Sequence, residues 1–368
     1  QGLYSPQVLV VLCLLSLKET DMSVQSRRIF RLSLTMALSL AASYALRLPL
    51  PFLAPLFALM LTSSPARPMG LKSLFGLITV VLITLGIGLL LIPMLIHYPV
   101  SALLVVAVGL YFSNYLTINL GKGLVGAFLT VGITLISAAG TVSYLLAVSV
   151  IQALVLGIGL AIICQWLVYP WFPEDTTPVK QAAPSQSSPE QSNWVALRAT
   201  LIVLPAYLLT LTNPSIYLAI IMKSVSLGQQ GSLVSARDAG KELLGSTFFG
   251  GFFAILFWFM LGMVTNLWMF FLWMLLFGVY FSSKLYQLIP SRHPASFWLN
   301  VALTMLILLG PAVEDSANGK DVYAAFAVRM GLFIAVTLYA WLAVYVLEKL
   351  RSGHLNRISM PIRGMETH

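Results

Sequence analysis

From residue 30 to residue 347 the chain is a series of apolar runs broken by short polar turns. Runs of about 17–25 residues are long enough, as helices, to cross the ~30 Å hydrocarbon core of a bilayer. Lipid offers the backbone no outside hydrogen-bond partner, so helices are the expected solution. Hydrophobic residues make up 59% of the sequence and charged residues 9%, too few polar side chains to clothe a water-exposed domain. The expected class is an all-α polytopic membrane protein.

Six spans are expected near 30–46, 51–63, 73–96, 99–113, 122–138 and 142–168. Six more are expected near 196–211, 214–226, 242–263, 266–283, 295–310 and 322–347. Residues 109–116 (GLYFSNYL) and 278–285 (GVYFSSKL) repeat one phrase 169 positions apart. At the same offset Lys72, Leu74, Gly76 and Met94 fall on Lys241, Leu243, Gly245 and Met263. A long repeat in register predicts one membrane unit duplicated and fused. The expected divisions are an N-terminal segment 1–26, a first six-span repeat 27–169, a linker 170–194, a second repeat 195–349 and a tail 350–368. The linker, with PEDTTPVKQAAPSQSSPEQS, is too polar and proline-rich to fold by itself. Met22 precedes SVQSRRIF, a basic opening to a first span, so residues 1–21 read as a non-native upstream extension.

The net charge of +9 could suggest nucleic acid, but the basic residues sit in short loops between apolar runs, the pattern that sets topology. With the N-terminus inside, Arg27, Arg28, Arg31, Arg67, Lys72, Lys122, Lys180, Arg198, Lys223, Arg237 and Lys241 fall inside, as do the basic residues from Lys284 onward except Lys320 and Arg329. Arg47 and Lys320 fall outside, where 311–321 carries Glu314, Asp315 and Asp321. The expectation is N-in, C-in topology. Six spans is an even number, so the two repeats run parallel, about an axis along the membrane normal.

Arg329, about two turns into the last span, is the sharpest candidate, because a charge deep in a membrane costs roughly 2.5–3.5 kcal/mol on insertion scales. It either counters an anionic substrate through bidentate carboxylate binding or pairs with Asp321 or Glu314. Asn300 and Gln152 are amides expected to be buried, for substrate or for helix–helix hydrogen bonds. Tyr111 and Ser113, with Tyr280 and Ser282, end the fourth span of each half, as an interfacial aromatic belt or a substrate-stacking gate. Arg31, Arg198, Lys72 and Lys241 either fix topology or form a funnel for anions. The second span of each half is short or proline-bounded, with Pro49, Pro51 and Pro55 in one and Asn213-Pro214 and an early Lys223 in the other. Such matched segments point to a binding site in transporters.

Two cysteines, Cys13 and Cys164, and four scattered histidines support neither a disulfide framework nor a metal site, and no cofactor is expected. The sequence carries no GxxxxGK[ST], HExxH or GxSxG, so ATP hydrolysis, metalloprotease and α/β-hydrolase chemistry lack their motifs and no enzyme is expected.

The stretch RRIFRLSLTMALSLAASYALRLPLPFLAPLFALML at 27–61, the second opening ALRATLIVLPAYLLTLTNPSIYLAIIM and the following ARDAGKELLGSTFFGGFFAI together resemble the fusaric acid resistance and aromatic acid exporter family of bacterial inner-membrane proteins. The resemblance spans about residues 27–350 and is similar in fold to the six-span half of plant aluminium-activated malate transporters. It implies a multi-pass inner-membrane exporter of small organic anions or aromatic compounds, driven by the proton-motive force and working with a periplasmic membrane-fusion protein. The large cytosolic domains of bigger relatives are missing between the repeats, which marks a compact branch. A passive anion channel and a non-transporting scaffold for envelope assembly are the alternatives, and a homo-oligomer is left open.

Overall fold

The computed structural model describes residues 23–64, 66–174, 189–213, 220–225 and 236–359, without the side chains of 189–192, 236–241 and 352–359. Every regular element among them is helical. In order they are α1 (Val24–Ala45), α2 (Leu53–Thr62), α3 (Leu71–His97), α4 (Pro99–Asn119), α5 (Gly123–Val142), α6 (Tyr144–Val168), α7 (Pro189–Thr212), a helical segment at 220–225, α8 (Ala236–Met263), α9 (Leu267–Leu285), α10 (Ala295–Ala317) and α11 (Val322–Ser359). Nine of these described helices are long and apolar enough to cross a membrane, all but α1, α2 and the 220–225 segment. The chain is a multi-pass helical membrane protein. Residues 1–21, most of the 170–194 linker and residues 360–368 of the expected tail lie outside the described residues, as do 214–219 of the eighth expected span.

The helix ends follow local chemistry. Ser23 caps α1 by accepting the Ser26 amide at 3.2 Å, and Asn266 caps α9 by accepting the Met269 amide at 2.7 Å, each satisfying a first-turn donor. Asp321 does the same for α11 with the Tyr323 amide at 3.0 Å. Pro99 opens α4 at a position where its missing N–H costs nothing. The turn from α1 to α2 is tight: Arg47 and Leu50 both have positive φ, at 51° and 48°.

Several ends differ from expectation. α4 runs to Asn119, past the Tyr111–Ser113 phrase, because Ser113 and Asn114 are buried there with hydrogen-bond partners on neighbouring helices. α9 likewise continues beyond Ser282 to Leu285. α10 extends to Ala317 and so carries Glu314 and Asp315, expected in an outer loop, in its last turns. α7 begins at Pro189, inside the expected linker, whose other end is tied down by Phe172 stacking on Phe30 at 5.8 Å.

α2, α5 and α10 are buried along most of their length, while α3, α4, α8 and α11 turn large apolar residues such as Leu90, Leu104, Phe259 and Leu342 outward, as lipid-facing helices must. The packing crosses between halves reciprocally. α1 lies along α9, where Gly278 meets Ser33, and α7 lies along α4, where Asn114 meets Thr200. Each copy of the repeated phrase therefore faces the first helix of the other half.

Candidate functional site

The Pro-bounded second span is a ten-residue helix, about 15 Å long at ~1.5 Å per residue, and half a bilayer in reach. Apolar along nearly its whole length, it is buried except at Met60 and Leu61, against α1, α6 and α10. Beside it opens a cavity of about 120 Å³. Its wall is built by Leu56 and Phe57 of α2, Phe128 of α5, Met222 of the 220–225 segment, and Leu303 and Ile307 of α10, with α3 and α6 completing it. Residues of both expected second spans thus line one space with the fifth helices of both halves. The lining is almost wholly apolar, and an apolar cavity of about 150 Å³ is known to stay dry and accept benzene.

Next in sequence to the lining residue Met222 is a residue that the topology count placed on the cytosolic side, near the end of the expected 214–226 span. Lys223, between the lining residues Met222 and Val225, is 2% exposed, and its Nζ donates to Thr304 Oγ1 at 2.7 Å. Thr304 follows the lining residue Leu303 and is itself fully buried. Asn300 lies one turn earlier on the same face of α10 and is also buried, as expected. Gly250 of α8 presses on Thr304 so closely that a Cβ there would collide with it.

Arg329 does not reach into this cavity's wall. It pairs instead with Asp315, Nη2 to Oδ2 at 2.5 Å, a different acid from the two expected, and Lys320 Nζ lies 3.7 Å from the same carboxylate. Its Nη1 is buried without a hydrogen bond among the described residues. Gln152, expected to be buried, is exposed on α6.

Tyr111 and Tyr280 belong to separate clusters, the first beside Tyr115, the second among Phe253, Phe281 and Trp298. Ser113 is committed to packing, bonding the Gly126 carbonyl at 2.5 Å and Thr130 at 2.7 Å. Ser282 Oγ is buried with no partner among the described residues.

The basic residues read as an entry funnel are arranged otherwise. Arg31 is 1% exposed and joins Arg28 in holding Glu174, its Nη2 2.7 Å from Oε2, with the Tyr169 ring 5.8 Å from its guanidinium carbon. Arg198 is also buried and lies 2.6 Å from Glu348, which further accepts from the Trp194 indole at 3.3 Å. In one case an arginine of α1 is neutralised by an acid that follows α6, and in the other an arginine of α7 by an acid within α11. Lys72 stands exposed at the start of α3, and the side chain of Lys241 lies outside the described residues.

Sequence reasoning missed Glu174 and Glu348 as partners and the burial of Lys223; the signal available for the last was its position inside an apolar stretch, LAIIMKSVSL. Among the described residues no group of three or more His, Cys, Asp or Glu side chains could hold a metal ion. No curated protein and no solved structure matches the chain. Over residues 28–168, from the second turn of α1 to the last residue of α6, the chain is similar to a family described as a protein of unknown function, DUF2955.

Proposed function

We propose that this protein is a transporter of small organic anions or aromatic compounds, an exporter of the bacterial inner membrane built from two parallel six-helix repeats with both termini in the cytosol. The observation that carries the reading is the apolar cavity walled by both short second-span segments, at the junction of the two halves. Its volume suits about one aromatic ring. Reciprocal packing, α1 on α9 and α7 on α4, supports a pseudo-two-fold relation. A family match that spans α1 to α6 supports a six-helix unit. Coupling to the proton-motive force and a periplasmic membrane-fusion partner follow from the resemblance to aromatic acid exporters. Arg329, paired with Asp315, serves in this reading as a bundle clasp rather than as the substrate's counter-charge.

Leu303→Trp tests it by filling the cavity. In proteoliposomes loaded with a labelled panel of aromatic acids, the wild type should carry at least one, and the variant should lose about tenfold or more of that flux with its thermal melt unchanged. Equal flux in the two proteins would remove the cavity from the pathway. Wild-type flux without dependence on an imposed proton gradient would favour the passive channel, and no flux of any compound the scaffold.

A further inference from the structure

The cavity beside α2 is graded in exposure. Of its lining residues, Met60 and Leu124 are 38% and 39% exposed, whereas Leu53, Leu154, Ile158 and Ile307 are almost fully buried. Met60 lies in the last turn of α2 and Leu124 in the first turn of α5, while Leu77, a half-buried lining residue, lies in the second turn of α3. α3 and α4 run away from these helix ends and back, so the three positions share one end of the bundle. From Leu53 to Met60 the lining follows one face of α2 for about 10 Å at ~1.5 Å per residue. Between those ends the lining rings of Phe57 and Phe128 lie 5.9 Å apart and join α2 to α5.

The mouth is as apolar as the interior. Leu71 and Phe75, on the turns of α3 before Leu77, and Leu120, just ahead of α5, are each more than half exposed. Lys72 and Lys122, exposed beside them in sequence, mark the headgroup level. The N-in topology puts this end in the cytosolic leaflet. Inside, every described lining residue is Leu, Ile, Val, Ala, Met or Phe. Such a wall offers a carboxylate neither a donor nor a countercharge, and moving the ion from water into it costs far more than burying one ring returns. An uncharged ring meets no such cost.

Resting on the transport reading above, we propose that the substrate is an uncharged aromatic compound, which enters laterally from the cytosolic leaflet between Met60, Leu77 and Leu124 and seats its ring past the Phe57–Phe128 pair. Of the two classes in that reading the cavity selects the second, and it takes an aromatic acid only in the protonated form. Met60 and Met222, unbranched and adaptable, fit the wall to rings of different outline.

The test follows fluorobenzene and para-fluorobenzoate by fluorine NMR with the full-length protein in phospholipid nanodiscs. At neutral pH the wild type should show a protein-bound fluorobenzene resonance and bind the carboxylate at least about tenfold more weakly, the acid gaining affinity as the pH falls to about 4, where its carboxyl is protonated. The bound resonance should exchange with the lipid-dissolved pool, and Leu124→Trp, which narrows the mouth, should slow that exchange about tenfold at nearly unchanged affinity. Leu303→Trp should lose the bound resonance, and Leu303→Ala, which enlarges the space, should admit fluoronaphthalene where the wild type does not. Stronger binding of the carboxylate than of fluorobenzene at neutral pH overturns the uncharged class and leaves the cavity standing. Exchange with the aqueous pool alone, or at an unchanged rate in Leu124→Trp, overturns lateral entry. Equal fluorobenzene binding by the wild type and Leu303→Trp, with no gain in Leu303→Ala, removes the ligand from the cavity, and a wild type without a bound resonance overturns the whole inference. The transport reading is judged apart from these, by flux of the aromatic panel, and falls when no compound is carried, whatever binds.

Discussion

At the residue scale, Glu174 is where two guanidinium groups converge. Burial alone would raise its carboxyl, but the hydrogen bonds and charges of Arg28 and Arg31 outweigh that and hold it below the ordinary carboxylate range. A group whose folded pKa is lowered stabilises the fold above its unfolded value and loses that contribution as pH falls through the folded one. Glu174→Gln should therefore cost roughly 3–5 kcal/mol at neutral pH, since it strands buried Arg31. In melts followed from neutral to acid pH, the gap between wild type and variant should hold down to about pH 4 and close below it. A gap that stays constant through pH 3, or widens, would remove the ion pair as its cause. None of this was legible in the sequence, where Arg28 and Arg31 lie more than 140 residues from their acid and read as loop charges. Charge counting locates a cation along the chain, but only packing decides whether it meets a carboxylate, as with Arg31, or a hydroxyl, as with Lys223.

At the scale of elements, α3 and α5 cross backbone to backbone. A Cβ on Gly88 would collide with the Gly132 carbonyl, and one on Gly132 with the Thr84 carbonyl. At this crossing α5 widens into a π-helical turn, Gly132–Ile136, an insertion of the kind that re-aims side chains inside a helix. It brings Ser137 within 2.9 Å of the Tyr207 hydroxyl on α7, linking the halves. Gly132→Ala should cost about 1–3 kcal/mol or more, because a backbone carbonyl cannot yield as a flexible side chain can. Gly86→Ala, two residues from Gly88 but with open space at its Cβ, should be neutral or stabilise by about 0.5–1 kcal/mol. Thermal melts of the two variants decide the point; equal losses would mean that helix propensity rather than the crossing governs both. The apolar runs located nearly every helix, since a bilayer leaves the backbone few alternatives. They could not separate Gly86 from Gly88, because the distinction lies in what the partner helix presents, and they ended α4 early because buried Asn114 looks like a turn residue until Thr200 is seen beside it.

For the whole molecule, the repeated phrase now has a physical reason. Gly278 admits Ser33 of α1, and Asn114 reaches Thr200 of α7, so each copy is the surface that receives the other half's first helix. Such reciprocity arises naturally when two units enter the membrane in one direction and face each other across an axis along its normal. An inverted repeat would exchange the two membrane faces between halves. Three exposed positions separate these cases: Lys122 between α4 and α5, Arg292 in the matching turn between α9 and α10, and Lys320 between α10 and α11. With Cys13 and Cys164 replaced, single cysteines at these positions can be treated with a membrane-impermeant maleimide in intact and opened cells. Parallel repeats predict that positions 122 and 292 react only after opening and position 320 in intact cells. Labelling of 122 and 292 from opposite sides would make the repeat inverted, and would move the cavity off the shared axis on which the transport reading depends.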